Sequence, residues 1–328
     1  MKDHICSDWS KIFREDSGAA KYWSWASLSV NSKYPDQRED LLNARILRLV
    51  PEISIRTKRA DHQLMQLVLQ SIQDGVTFNL KKLTINSVPV NIDPGLLATA
   101  VLKVQDCTIY RAPPCHLETV LTAIRDSTTT ILRHLDLGYS GHQVSPDILA
   151  EAAMKLETLK ARFSRPQVEA ILTRLAASQD SRLRRLGIRD GPVTISTLDP
   201  EVVAGALVKL ETVGDVLSYG LSAGQLLALI SRINNSPDLR LKELILYGKY
   251  LSLVPPEVLV GAIQRLEVAE FWRGKMTGEQ LTAILTLAKE NRLGRIKIIR
   301  INRVAGMGSV SPSLLQEARL NSKLEWIG

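Results

Sequence analysis

The sequence predicts an α/β solenoid. One short strand and one helix form each unit, with the strands in a parallel sheet on a concave face, helices on a convex face and a cap at the N-terminus. Three observations predict it. Prolines 94, 146, 200, 256 and 312 follow one another at spacings of 52, 54, 56 and 56 residues. Ten residues after the first four of them an apolar strand seed begins, at Val104, Leu156, Leu210 and Leu266, and the fifth copy resumes at Leu324 after twelve. A second class of seed alternates with these, at Leu80, Leu132, Leu183, Leu241 and Ile296, with a double period of 51 to 58 residues. A unit of this size cannot bury its apolar face alone, so the units must stack into one continuous core.

Residues 1–46 lack the repeat and form the predicted cap; the repeat domain spans 47–328. The cap holds three of the five tryptophans, Trp9, Trp23 and Trp25, whereas the repeats are aliphatic. Ile5, Cys6, Trp9, Ile12 and Phe13 fit one face of a short helix, and Trp23, Trp25, Leu28 and Val30 mostly alternate as in a strand. The first repeat seed is Val50, Ile53, Ile55, and a helix follows it with Leu64, Leu67, Val68 and Ile72 on one face.

Two helix classes alternate down the chain. One class opens on the prolines, which suit a first turn where no helical partner exists for their missing N–H. Asp93, Ser145, Asp199 and Ser311 stand just before them as N-caps. Alanines 100, 152, 206, 262 and 318 share one helical position, where a small side chain allows close approach to the sheet. The other class carries Leu117-x-x-Val120-Leu121, Val168-x-x-Ile171-Leu172, Leu226-x-x-Leu229-Ile230 and Leu281-x-x-Ile284-Leu285.

Helices are wider than the strand spacing of about 4.8 Å, so such an array must curve with its strands inside. The third and fifth positions of each seed then face the concave side. The candidate partner-binding residues on that face are His134, Asp136, Tyr139, Lys160, Arg162, Arg185, Tyr247, Glu270, Trp272 and Arg300. Tyr, Trp and Arg are the usual energetic anchors of interfaces. At the second position Lys81, Arg133, Arg184, Lys242 and Lys297 alternate with Gln105, Glu157, Glu211, Glu267 and Glu325. The plain reading of that alternation is inter-strand pairing that sets the register.

Residues 47–328 resemble leucine-rich repeats, and the paired long-helix alternation is similar to the ribonuclease-inhibitor type. The Asn or Cys that usually follows the strand in that family is mostly absent. Within the cap, Cys6, Trp9, the turn Asp16-Ser17-Gly18 and Trp23-x-Trp25 resemble the last part of an F-box and its link to a leucine-rich domain. The resemblance covers about residues 5–30, and the Leu-Pro start and first helices of an F-box have no counterpart before Met1. Together the two resemblances imply a protein-recognition module, the substrate-binding part of an F-box-type ubiquitin ligase with a Skp-type adaptor as second partner. The alternative is a leucine-rich scaffold or inhibitor protein with no ubiquitin link.

The remaining chemistry narrows the field. A net charge of +8 with no dense Lys/Arg run favours an acidic partner but falls short of a nucleic-acid signature. Three cysteines make no disulfide framework, no leader is visible, and no apolar run approaches a membrane span of about 18 residues. A cytoplasmic or nuclear protein with no membrane partner is expected. The five histidines, His4, His62, His116, His134 and His142, show neither His-x-x-x-His nor zinc spacing with cysteine. Cys107 fills a core strand position, and Gly306-Met307-Gly308 lacks the Gly-Lys-Ser/Thr of a phosphate cradle. With no Gly-x-Ser-x-Gly elbow either, no enzyme, cofactor or metal is expected.

Overall fold

The computed structural model describes residues 27–31, 51–56, 62–75, 79–189, 195, 197–213, 221–247, 250–272, 275–290, 292, 294–302, 309–318 and 324–327. The chain divides into two units, residues 1–148 with 160–162 and residues 149–159 with 163–328. Both are α/β, with parallel strands alternating with helices.

In the first unit, strands β1 (Ser27–Asn31), β2 (Glu52–Arg56), β3 (Lys82–Ile85), β4 (Asp106–Ile109) and β5 (His134–Asp136) pair in parallel and in chain order. Strand β1 lies within the segment assigned to the cap. The rest of the F-box-like segment lies outside the described residues. Helices α1 (His62–Gln73), α2 (Pro94–Leu102) and α3 (Pro114–Asp126) pack on one another in sequence. Helix α4 (Pro146–Ala153) and strand β6 (Thr158–Ala161) are divided between the units.

In the second unit, α5 (Arg165–Ala177) leads to β7 (Arg185–Ile188), α6 (Pro200–Leu207), β8 (Thr212–Val213), α7 (Ala223–Asn235), β9 (Glu243–Tyr247) and α8 (Pro256–Arg265). Strand β10 (Val268–Trp272), α9 (Gly278–Lys289), β11 (Ile298–Asn302), α10 (Pro312–Ala318) and β12 (Leu324–Ile327) complete it. Strands β8 to β12 pair in parallel in chain order. No described helix is long and apolar enough to cross a membrane.

Period-two side chains give each sheet one buried and one open face. Leu83, Ile85, Cys107, Ile109 and Leu135 are buried in the first unit, while Lys82, Thr84, Asp106, Thr108, His134 and Asp136 alternate with them on the other side. Leu244, Leu246, Ala269, Phe271, Ile299 and Ile301 do the same in the second. The five repeating alanines are all at most 1% exposed, so the small side chain is what the packing demands. A larger one would cost about 1–3 kcal/mol in overpacking.

Three polar columns hold the helix ends. Asp93 and Asp199 accept from N–H groups of the first turn, Gly95 at 2.9 Å and Glu201 at 2.8 Å, and the Ser311 hydroxyl accepts from Leu314 at 3.2 Å. Nine residues after prolines 94, 200 and 256 stand Lys103, Lys209 and Arg265, which donate to the last carbonyls of the preceding helix. Lys209 Nζ reaches Leu175, Ala176 and Ser178 at 3.0, 2.7 and 2.7 Å, and Arg265 reaches Ile233 and Asn234 at 2.6 and 2.5 Å and also Ser236. A cation there meets both the orphan carbonyls and the negative end of the helix dipole. Burial, together with the charges of Arg240 and Arg232, holds the Lys209 ammonium below the ordinary lysine pKa.

The third column sits at the third residue of the other helix class: His116, Gln167, Gln225 and Gln280, all at most 1% exposed. The oxygen of Gln225 or Gln280 accepts from the N–H of the capping Ser222 or Thr277, both at 2.9 Å. Their amides donate across to the preceding turn, Gln225 to Ile195 and Leu198 at 2.8 and 2.9 Å, and Gln280 to Leu251 and Val254 at 2.8 and 2.5 Å. His116 Nε2 lies 2.8 Å from the Ile92 carbonyl, which only accepts, so this nitrogen carries the proton. His116, Gln225 and Gln280 thus satisfy turn carbonyls of the preceding segment.

Candidate functional site

The strands start in a repeated way that sets the geometry of their open face. Two consecutive N–H groups converge on one carbonyl of the neighbouring strand: Lys81 and Lys82 on Pro51, Gln105 and Asp106 on Lys81, Arg133 and His134 on Gln105. In the second unit Arg184 and Arg185 converge on Glu157, Lys242 and Glu243 on Glu211, Glu267 and Val268 on Lys242. Second-position side chains therefore line up along a rim, with the third and fifth positions in rows above it.

In the first unit the lower row is Lys82, Asp106 and His134, in register across three strands. Lys82 Nζ is 2.8 Å from Glu52, and His134 Nε2 is 3.8 Å from Asp106. The upper row holds Thr84, Thr108 and Asp136. Asp136 accepts from the Gly138 N–H at 3.0 Å, which turns the chain sharply after β5. Gly138 has φ +53°, and a Cβ there would stand 2.6 Å from Tyr110 Cα, so both conformation and space require glycine. This turn leaves Tyr139 46% exposed at the end of the row. Lys160 and Arg162 are exposed on and just after β6; the Lys160 carbonyl accepts from Leu137 N–H, and Arg162 N–H donates to Gly138, both at 2.8 Å. The structure thus brings His134, Asp136, Tyr139, Lys160 and Arg162 to neighbouring positions along one open face.

In the second unit three predicted residues become one network. Glu270 and Arg300 are in register on β10 and β11, and Glu325 of β12 is in register with Arg300. Arg300 donates to Glu270 and, at 2.7 Å, to Glu325, while the Trp272 indole N–H donates to Glu270 Oε2 at 2.9 Å. The hydrogen bonds from Arg300 to Glu270 and Glu325 hold its guanidinium above the ordinary arginine pKa. The sequence places Glu270 on the open face; its carboxylate is nonetheless buried, covered by the side chains it binds. Arg185 is exposed, with its guanidinium 3.8 Å from Glu211. Tyr247 is in register with Trp272, and its side chain lies outside the described residues.

The second-position alternation does pair strands in the second unit. Arg184 and Lys242 flank Glu211 at 2.9 and 3.6 Å, and Lys297 meets Glu267 at 2.6 Å. Burial works to raise the Glu211 carboxyl, but the hydrogen bond from Arg184 and the charges of Lys242, Arg184 and Arg185 outweigh it, and its pKa falls below the ordinary value.

Burial pushes the Cys107 thiol far up, with Asp106 and Asp136 adding to the effect, so no thiolate forms behind the row. No group of three or more His, Cys, Asp or Glu side chains able to hold a metal converges among the described residues. A depression of about 500 Å³ at the ends of α1, α2 and α3 is lined by Ile72, Thr99, Leu102, Lys103, Thr130 and Ile131. Its cation, Lys103, is engaged with the Gln73 carbonyl.

Two polar columns escaped sequence reading, the cations Lys103, Lys209 and Arg265 and the column His116, Gln167, Gln225, Gln280. The signal of the second was present, since each of its residues directly precedes the first leucine or valine of the repeated helix pattern. A scan against protein-family models gives no match, and a search of curated proteins gives none either.

Proposed function

We propose that the chain is a leucine-rich repeat solenoid that recognises a protein partner through the open faces of its sheets. The observation that carries this reading is the Glu270–Arg300–Glu325–Trp272 network. It fixes a tryptophan and an arginine on a sheet face before any partner arrives, which lowers the ordering cost of binding. The repeating residues serve the scaffold, whereas the rows Lys82–Asp106–His134 and Ile245–Glu270–Arg300 differ from strand to strand. Such variation is what selective recognition requires. The recognition surface is the same whether the chain is a ligase substrate arm acting with a Skp-type adaptor or a scaffold or inhibitor.

The test is quantitative capture from a cell extract with three variants of the immobilised chain: Trp272→Ala, Lys160→Glu and, on the helical side, Leu227→Ala. A discrete set of proteins is expected to be retained by wild type and Leu227→Ala and lost at least tenfold with one or both face variants, each still folded with a cooperative thermal transition. Equal capture by all three would refute the reading.

A further inference from the structure

We infer that the rim at the start of β7, β8 and β9 is a docking site for an acidic, apolar-flanked peptide segment of the partner; this deepens the recognition reading and rests on it. Three cations share one carboxylate there. Glu211 Oε1 is 2.9 Å from Arg184 and 3.6 Å from Lys242, and its Oε2 is 3.8 Å from Arg185. Glu211 is only 15% exposed, whereas Arg184, Arg185 and Lys242 are 56%, 61% and 54% exposed. The backbone enforces this grouping. The backbone N–H groups of Arg184 and Arg185 donate together to the Glu157 carbonyl, that of Glu211 to the Arg184 carbonyl, and those of Lys242 and Glu243 together to the Glu211 carbonyl.

Near neutral pH Arg184, Arg185, Lys242 and Glu211 together carry +2, with Glu157 and Glu243 on the adjoining strand starts. The next acid along the rim, Glu267, is bonded to Lys297 at 2.6 Å. An arginine has five N–H donors and a lysine three, so one shared carboxylate leaves most of them directed to solvent. A second carboxylate, brought by a partner, would find three cations already held together by the first.

The surroundings favour a peptide over a nucleic acid. Acids interleave with the cations, so a phosphate chain following the rim would pass Glu157 and Glu267, and its uniform charge would meet repulsion. Past the β9 end of the rim, Val268 on β10 is in register with Glu243, and Ile298 on β11 is in register with Val268; both are partly exposed, which suits the apolar side chains of an extended segment.

The probe is a fluorescein-labelled twelve-residue peptide of alternating Glu and Val, titrated by anisotropy with the full chain at 50 and 500 mM salt. Wild type is expected to bind, and more weakly at high salt. Arg185→Ser with Lys242→Ser leaves the Arg184–Glu211 pair intact; it should bind on the order of tenfold or more weakly at an unchanged melting temperature. Glu211→Gln removes the competing carboxylate and should bind a few-fold tighter. No binding by wild type, equal binding by the double variant, or a single-stranded oligo-dT that outcompetes the peptide would each overturn the site. Trp272→Ala and Lys160→Glu should leave peptide affinity unchanged. If they abolish partner capture while the rim variants do not, the recognition reading stands and the rim site falls.

Discussion

Replacing Gln280 by Leu keeps the volume of the side chain and removes all of its hydrogen bonding. Gln280 is 1% exposed, accepts from Thr277 N–H at 2.9 Å and donates to the Leu251 and Val254 carbonyls at 2.8 and 2.5 Å. Leu251 and Val254 are at most 1% exposed, so water does not take the place of the lost donors. Each hydrogen bond contributes about 1 kcal/mol, and each buried group left unpaired costs about 1–3 kcal/mol. Gln280→Leu should therefore destabilise by about 3–5 kcal/mol, a melting shift of roughly 10 °C for a cooperative unit of this size. Gln105→Leu, at an exposed position, is the control and should stay within about 0.5 kcal/mol. Gln280→Glu sharpens the test. Its carboxylate would face two carbonyls with no proton to donate, so its folded-state pKa would be raised. The penalty would be full above that pKa and relieved as pH falls through it. Thermal and urea unfolding followed by circular dichroism reads both variants. A Gln280→Leu protein no less stable than the Gln105→Leu control would refute the account of this column as structural.

Three further outcomes follow from the same geometry. Lys209→Met strips three carbonyls of their donor and should cost about 1–3 kcal/mol in urea unfolding, with faster hydrogen exchange at the C-terminal turn of α5. Gly138→Ala should cost about 3 kcal/mol from left-handed backbone and a 2.6 Å clash with Tyr110, whereas Gly75→Ala, at φ +72° with nothing within 4 Å, should cost only about 1 kcal/mol; equal losses would exclude the clash. Glu211 titrates below its ordinary value of 4.5, so its contribution to stability is present above that pH and fades as pH falls through the lowered pKa. Glu211→Gln should accordingly flatten the acid side of the stability profile; an unchanged slope there would show that Glu211 is not held by its arginines.

Spacing alone was enough to locate the elements. Apolar seeds at Leu80, Val104, Leu132 and Leu156 preceded β3 to β6 as expected, and the prolines, their capping aspartates and the buried alanines marked one helix class. The charge alternation was legible too, and it became inter-strand pairing at Glu211 and Glu267. These features are local or periodic, so a single chain displays them.

The site was legible only as a set of positions. Period-two alternation told which face Glu270, Trp272 and Arg300 occupy, but not that they would bind one another. Residues 30 apart on β10 and β11 meet only once the register is set, and unit lengths that vary by several residues hide that register. The same holds for Gln280, which belongs to a visible column but whose carbonyl partners lie 26 and 29 residues away. Sequence by itself determined the alternation of strand and helix, the buried face of each and the residues facing away from the core. Tertiary structure alone decided which of those outward residues are free to meet a partner and which, like Glu270, are already held, because burial of a polar side chain depends on the neighbours that cover it.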